Sequence, residues 1–259
     1  MALHERRYPM KPIQILAATA LAASLGIPAF AQDADAVKSA LRKKFPEAPI
    51  DTVRKIPYGN LYEVLGNGEI FYTDDKTTYL LIGTLVDVKT KENITEVRQR
   101  QVNAVKFENL PLDSAFKIVR GNGSRKVAIF ADPNCGYCKR FERDLLGISD
   151  ITVYTFLYPI LSPDSTEKAK QVWCSSDRGQ TWIDMMTKNV APKGDGKCDT
   201  AAIDKSLAFG KEKRITGTPT IIFEDGERVP GAMPIAQFEK KISGLKTSQA
   251  ASAASTAPQ

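Results

Sequence analysis

The chain has 259 residues, a formal net charge of +6, 42% hydrophobic residues and 25% charged residues. This length fits one large globular domain or two small ones. The modest charge is spread along the chain, whereas phosphate binding requires Lys and Arg concentrated on one face, so we predict no nucleic-acid partner.

The first 31 residues have the pattern of a secretory signal peptide. Three basic residues precede an apolar stretch over 13–28, which ends in Ala29-Phe30-Ala31. We therefore predict export and cleavage after Ala31. A membrane anchor is disfavoured because polar and small residues interrupt the stretch, which is short for a span of about 20 residues. The pair Arg6-Arg7 leaves the twin-arginine route open beside the general export route.

Cleavage at this site would remove the only histidine, His4. The mature chain would then lack any Ser-His-Asp or Cys-His catalytic pair and any zinc site that needs imidazole. We predict no metal and no cofactor. Four cysteines remain, and in an exported protein an even number of cysteines suggests two pairs.

Residues 32–93 are predicted to form a small α+β domain. The pattern predicts a helix over 35–44 and then strands separated by Gly, Asn and Asp turns. These strands, expected to form an antiparallel meander, lie at 62–65, 69–73, 78–82 and 85–88. A polar helix over 95–107, within a linker at residues 94–110, is expected to separate this domain from the next.

A second domain is predicted over residues 111–246, where strands and helices alternate. A strand at 126–131, a helix that opens at Cys135 and a strand at 151–157 give a β-α-β unit. The remaining predicted elements are helices at 165–189, 201–214 and 235–245 and strands at 220–223 and 228–229. Residues 247–259 are mostly Ala, Ser, Thr and Gln, and we predict a disordered tail there.

The chemistry is expected at Cys135-Gly136-Tyr137-Cys138, where a strand meets a helix. Orphan N–H groups and the positive end of the helix dipole lower the pKa of a cysteine in the first helical turn. We therefore expect an accessible thiolate at Cys135 and a shielded thiol at Cys138. The two-residue spacing lets the sulfurs alternate between dithiol and disulfide, and Gly136 and Tyr137 would influence the redox potential.

This motif has two other interpretations, a structural disulfide and half of a zinc site. A disulfide that closes so short a loop would restrict the unfolded chain little. A four-thiolate zinc site would need Cys174 and Cys198, which lie far apart and form no second Cys-x-x-Cys. Cys174 and Cys198 suit a structural disulfide that closes a helical insertion, with a second redox pair as the alternative.

The motif at 135–138, together with Thr218-Pro219, resembles the active site of the DsbC/DsbG family of periplasmic disulfide isomerases. The resemblance extends over nearly the whole mature chain. It implies an α+β protein in which a linker helix joins a cystatin-like dimerisation domain to a thioredoxin-like catalytic domain with a helical insertion. It also implies a cis bond before Pro219 and pairing of the Thr218 backbone with an extended substrate strand. The alternative at Thr218-Pro219 is an ordinary turn, which the strand directly after it disfavours.

The resemblance implies a periplasmic homodimer that rearranges wrong disulfides in misfolded exported proteins and has chaperone activity. A membrane thiol reductase of the DsbD type would keep the enzyme reduced. Gly136 stands where DsbG has proline, which favours DsbC. Cytosolic thioredoxins have a buried Asp six positions before the first cysteine, whereas this chain has Ile129 there, which argues against a reductase. A dithiol oxidase or reductase of the same fold and a chaperone-like binding module remain as alternatives.

Overall fold

The computed structural model describes residues 29–255 of the chain. Most of the predicted signal peptide, residues 1–28, and the last four residues of the predicted tail lie outside this range. The chain divides into two compact units, one formed by residues up to 64 together with 72–80 and the other by 65–71 together with the residues from 81 onward. The predicted domain boundaries at 93 and 110 stay a prediction. Within the described range, no helix is long and apolar enough to cross a membrane.

The N-terminal part contains one helix and one sheet. Helix α1 spans Ala29–Lys44, so it begins before the predicted start at residue 35. The four strands follow one another across the sheet in chain order, as the predicted meander requires: β1 (Thr52–Lys55), β2 (Leu61–Gly66), β3 (Glu69–Asp74) and β4 (Leu80–Leu81).

The prediction for this sheet was wrong in two places. Strand β1 was not predicted, because it is short and half of its residues are basic. The segment predicted as a strand at 85–88 forms only an isolated bridge between Val86 and Asn93. The cause is local, since the Asp87 carboxylate accepts the N–H groups of Lys89 and Thr90 and bends the chain into a turn.

Helix α2, Ile94–Val102, is the polar helix expected in the linker. Its N-cap is Asn93, whose side chain accepts the N–H of Glu96 at 3.0 Å. The helix ends before the predicted residue 107. Two short 3₁₀ turns, Phe107–Asn109 and Leu112–Ser114, then lead into the second sheet.

The second sheet has five strands in the order β5-β7-β6-β8-β9. Strands β6 and β7 are parallel, and helix α3 (Gly136–Leu145) connects them, which confirms the predicted β-α-β unit. The edge strand β5 was not predicted. The strands are β5 (Phe116–Arg120), β6 (Arg125–Ala131), β7 (Ile151–Leu157), β8 (Thr220–Phe223) and β9 (Arg228–Pro230).

Strand β6 lies at the centre of this sheet and is covered on both faces. Val127, Ile129 and Ala131 belong to the hydrophobic core that also contains both cysteines of the Cys-x-x-Cys motif. The alternate residues Ala128 and Phe130 belong to a second core on the other side. A continuous apolar run is expected for a strand buried on both faces. The strand thus ends in a rigid position shortly before the motif.

The remaining helices differ from the prediction in two respects. The predicted stretch at 165–189 is broken into α4 and α5, because the Asp177 side chain caps a new helix by accepting the N–H of Gln180 at 2.9 Å. The last helix continues through most of the predicted disordered tail, because alanine favours helix even where few large apolar groups are present. The helices are α4 (Pro163–Trp173), α5 (Arg178–Lys188), α6 (Ala201–Glu212) and α7 (Ile235–Ser255).

Candidate active site

Cys135 is the N-cap residue of α3. Its backbone N–H donates to the carbonyl oxygen of Asp132 at 3.1 Å, which turns the chain from β6 into the helix. Its sulfur accepts the N–H of Cys138 at 3.1 Å, as the side chain of an N-cap residue does. Both thiols are free, so the structure represents the dithiol form.

The two thiols differ strongly in acidity. The pKa of Cys135 is lowered from 9.0 to about 6, and the largest cause is a hydrogen bond from the Cys138 thiol to the Cys135 sulfur. Thr218 and the N–H groups of Cys138 and Tyr137 also lower this pKa, while burial opposes them. Burial and the neighbouring Cys135 raise the pKa of Cys138 far above its ordinary value. At neutral pH the motif therefore holds one thiolate and one thiol.

The Cys135 side chain is less accessible than the sequence led us to expect. Only 4% of the residue is exposed, so the prediction of an open thiol is wrong for this conformation. The cover comes from the Thr218 segment, since the Cys135 sulfur lies 3.2 Å from the Thr218 carbonyl oxygen and donates to it in the thiol form. The surroundings are open, because a Cβ placed at Gly136 or Gly217 would meet nothing within 4 Å. A small displacement of the Thr218 segment would therefore uncover the sulfur.

The Thr218–Pro219 segment enters strand β8 beside the dithiol. The peptide bond between these two residues is cis. The Pro219 carbonyl accepts the N–H of Gly231 at 2.7 Å, and the Thr220 hydroxyl donates to the Gly217 carbonyl at 2.8 Å. These two hydrogen bonds, one to Gly231 and one to Gly217, fix the position of the segment that covers Cys135.

Comparison with known proteins identifies the family. Residues 28–96 match the disulfide bond isomerase protein N-terminal domain, and residues 112–246 match a thioredoxin-like domain. The chain is 46% identical over 209 residues to the probable thiol:disulfide interchange protein DsbC of Bordetella pertussis, an alignment that covers 81% of this chain and 74% of that protein. The chain belongs to the DsbC family.

More distant relatives and a solved structure agree with this assignment. The DsbC of Escherichia coli K12 is 28% identical over 216 residues, covering 80% of this chain and 87% of that protein. A crystal structure of a disulfide interchange protein from Neisseria gonorrhoeae is 41% identical with a TM-score of 0.50, covering 52% of this chain and 97% of that one. The predicted α+β fold with a thioredoxin-like domain is therefore confirmed. Like other members of the DsbC family, this chain is an enzyme of thiol:disulfide interchange.

The second cysteine pair of this DsbC-family chain lies away from the dithiol. Cys174 and Cys198 form a disulfide across the segment between α4 and α6. Trp173, at the end of α4, donates its indole N–H to the Asp199 carbonyl at 3.0 Å, while Arg178 stacks on the Trp173 ring. The disulfide and this hydrogen bond therefore hold the same part of the insertion to α4. Within residues 29–255, no group of His, Cys, Asp or Glu has a geometry suited to a metal ion.

Two buried acids near the motif were missed by the sequence analysis. Asp132 is fully buried directly after β6, where the sequence suggested only a connecting loop. Glu142 lies one turn after Cys138 in α3, and its carboxylate accepts the indole N–H of Trp182 at 2.8 Å. Burial raises the pKa of Glu142. The sequence shows each of them only as an acidic residue within a strand-helix pattern. This pattern does not show which residues donate hydrogen bonds to the two carboxylates.

Proposed function

We propose that this chain is a periplasmic protein disulfide isomerase in which Cys135 is the attacking thiolate. The observation that carries the proposal is the opposite displacement of the pKa values of Cys135 and Cys138. One sulfur is ionised and nucleophilic at neutral pH, and its partner keeps its proton. The membership of the DsbC family agrees with this role.

The reaction begins when a substrate strand pairs with the Thr218 backbone and the Cys135 thiolate attacks one sulfur of a wrong substrate disulfide. The substrate S–S bond breaks, a mixed disulfide forms at Cys135, and the other substrate sulfur leaves as a thiolate. Another substrate thiolate then attacks the substrate sulfur of the mixed disulfide. This step releases the Cys135 thiolate and a rearranged substrate, with no net oxidation or reduction.

Cys138 provides a slower exit from the mixed disulfide. Its attack on the Cys135 sulfur releases the reduced substrate thiolate and leaves the enzyme as a disulfide, which a membrane reductase of the DsbD type would reduce again. Because Cys138 must first lose a proton that burial retains, its attack is slow at neutral pH. The delay gives substrate thiols time to rearrange.

Single substitutions test these roles. Cys135→Ser should abolish the recovery of activity from a scrambled disulfide protein, whereas Cys138→Ser should accumulate mixed disulfides visible on a non-reducing gel. The buried Ser206→Ala variant, which changes neither cysteine pair, serves as the control and should retain wild-type activity. Full isomerase activity in Cys135→Ser would rule out the proposal.

We also propose a homodimer formed through the N-terminal domain. Strand β4 lies at the end of its sheet, and such an edge offers unpaired backbone groups to a second strand. The chain around β4 is unusually apolar for a surface: Tyr79 is 75% exposed, Ile82 85% and Val88 80%. A second copy of this chain would cover these side chains.

The oligomeric state tests this interface and separates two functions. Ile82→Lys should convert the dimer to a monomer in sedimentation, while Val119→Lys, at an exposed valine of the catalytic domain, should leave the dimer intact. An oxidase of the same fold would instead be a monomer stored as a disulfide. A wild-type protein that is monomeric and oxidised in cells would favour the oxidase.

Chaperone activity is the second part of the proposed function. Three apolar side chains lie exposed around the Cys135 turn: Tyr137 at 70%, Leu161 at 54% and Ile160 at 39%. Such a surface suits misfolded exported proteins, which expose apolar segments. Suppression of aggregation should survive alkylation of Cys135 and should weaken in Leu161→Ser. Loss of suppression on alkylation would assign the effect to the thiol instead.

Export and recycling can be tested in cells. Mass spectrometry of the periplasmic fraction should find a mature chain that begins at Gln32, directly after the proposed cleavage site. Thiol trapping should find Cys135 reduced in wild-type cells and oxidised in cells without the membrane reductase. A chain that retains residues 1–31, or that stays reduced without the reductase, would contradict these proposals.

A further inference from the structure

Asp132 is completely buried three residues before Cys135, directly after strand β6. We propose that Asp132 is a positioning residue, which holds the Cys135 turn so that the sulfur faces the N–H of Cys138. The inference rests on the proposed role of Cys135 as the attacking thiolate. It adds a residue that acts on this thiolate without touching the substrate.

The Asp132 carboxylate accepts four hydrogen bonds. One oxygen accepts the N–H of Asn134 at 2.7 Å and the hydroxyl of Ser165 at 2.7 Å. The other oxygen accepts the N–H groups of Ile160 and Leu161 at 2.8 and 2.9 Å. These donors belong to the Cys135 turn, to the loop after β7 and to the first turn of α4. One side chain therefore joins three separate segments of the catalytic domain.

Asn134, the residue directly before Cys135, is held from its other side by α4. Its side-chain NH₂ lies 3.1 Å from the hydroxyl of Ser165 and 2.8 Å from the carboxylate of Asp164. Its side-chain oxygen accepts from the Lys168 ammonium at 2.8 Å, and this ammonium pairs with Asp164 at 2.6 Å. The opposite charges of Asp164 and Lys168 thus balance each other beside the turn.

These contacts fix the backbone on which the Cys135 sulfur depends. An N-cap side chain reaches the N–H of the third helical residue only when its own backbone is extended, and Cys135 has φ −71° and ψ 114°. The Cys135 N–H is bonded to the Asp132 carbonyl, so Asp132 acts on the turn through both its backbone and its side chain. Loss of the carboxylate contacts would free the turn to rotate and would lengthen the bond between the Cys135 sulfur and the Cys138 N–H.

Charge and positioning predict opposite results, which makes the inference testable. A nearby negative charge disfavours a thiolate, so a purely electrostatic role would make Cys135 more acidic in Asp132→Asn. A positioning role would make Cys135 less acidic, because the amide NH₂ cannot accept the N–H groups that the lost oxygen held. The rate of iodoacetamide labelling of Cys135 against pH, read by mass spectrometry, distinguishes these signs.

We expect Asp132→Asn to label about tenfold more slowly than the wild type at pH 5, with the rates converging above pH 8. Ser165→Ala leaves the carboxylate but removes one of its four donors, together with the contact between the Ser165 hydroxyl and the Asn134 side chain. This variant should slow labelling at pH 5 by about threefold. The matched control is Ser206→Ala, a fully buried hydroxyl bonded to Ser114 and Ala202, which should label at the wild-type rate.

An unchanged or faster rate at pH 5 in Asp132→Asn would overturn the inference. If Asp132→Asn does not fold, the test rests on Ser165→Ala. A labelling rate at pH 5 in Ser165→Ala equal to that in Ser206→Ala would then overturn the inference. The labelling rate of wild-type Cys135 against pH distinguishes a failure of this inference from a failure of the proposed function. If Cys135 of the wild type labels like an ordinary thiol, the proposed function itself is refuted. If Cys135 of the wild type has a low pKa but the Asp132→Asn and Ser165→Ala variants label at the wild-type rate, only the role of Asp132 is refuted.

Discussion

Lowering the pH should destabilise the reduced protein through Cys135. The pKa of this thiol is about 6 in the folded chain and 9.0 for an ordinary thiol. Because the folded-state pKa is the lower one, the unfolded chain binds more protons between these values. The resulting stabilisation is complete above pH 9 and is lost as the pH falls through 6.

The size of this effect follows from the two pKa values. The contribution of Cys135 to the free energy of unfolding is roughly 3 kcal/mol at pH 8, roughly 1 kcal/mol at pH 7 and close to zero at pH 5. Cys138 does not contribute to the pH dependence of stability between pH 5 and pH 8. Its raised pKa leaves it protonated in the folded chain, and an ordinary thiol in the unfolded chain is still protonated below pH 8. A titration between pH 5 and pH 8 therefore isolates one sulfur.

Urea unfolding of the reduced wild type and of Cys135→Ser at pH 5, 7 and 8 measures this contribution. The difference between the two proteins cancels the titration of all other groups, and it should grow by roughly 3 kcal/mol in favour of the wild type across the range. The wild type with its dithiol oxidised should show the same pH dependence as the serine variant. A difference that stays constant with pH would refute the assignment of an acidic thiol to Cys135.

Four further substitutions test the packing of the catalytic domain. Cys198→Ser opens the Cys174–Cys198 disulfide and should lower the free energy of unfolding by about 3 kcal/mol in urea, without changing the labelling of Cys135; an unchanged stability would contradict this. Gly210→Ala places a methyl group against the Tyr158 ring and should cost about 1–3 kcal/mol, whereas Gly244→Ala, with open space around it, should stabilise helix α7 by up to about 1 kcal/mol; equal melting temperatures would contradict this. Burial raises the pKa of Glu142, so the contribution of this residue to stability falls as the pH rises above 4.5. The melting temperature of Glu142→Gln should therefore rise relative to that of the wild type as the pH increases from 4.5, and a difference that stays constant with pH would contradict this.

The sequence predicts the elements around the dithiol well, because they depend on local signals. Strand β6 is a continuous apolar run, and the Cys-x-x-Cys motif follows it closely. The strands that were missed give weaker signals: β1 is short and basic, and β5 is an edge strand whose partner, β7, comes later in the chain. Edge strands need less apolar sequence than central ones, so a pattern search finds them last.

The features of the site that were not predicted depend on contacts between distant residues. The cover over Cys135 comes from Thr218, 83 residues further along the chain. Three of the four donors to the Asp132 carboxylate lie 28 to 33 residues away, in a segment whose sequence has no distinctive motif. Residue type and spacing predicted which sulfur is acidic, whereas the exposure of that sulfur and the network behind it required the folded chain.

The cover over Cys135 has a consequence for the survival of the enzyme under oxidising conditions. An ionised sulfur is the form that peroxides convert to sulfenic and then to irreversible sulfinic acid. In the proposed mechanism a polypeptide pairs with the Thr218 backbone and displaces this segment, whereas a small oxidant would form no such backbone pairing. The Thr218 segment that covers the sulfur would therefore slow its over-oxidation between encounters with substrate.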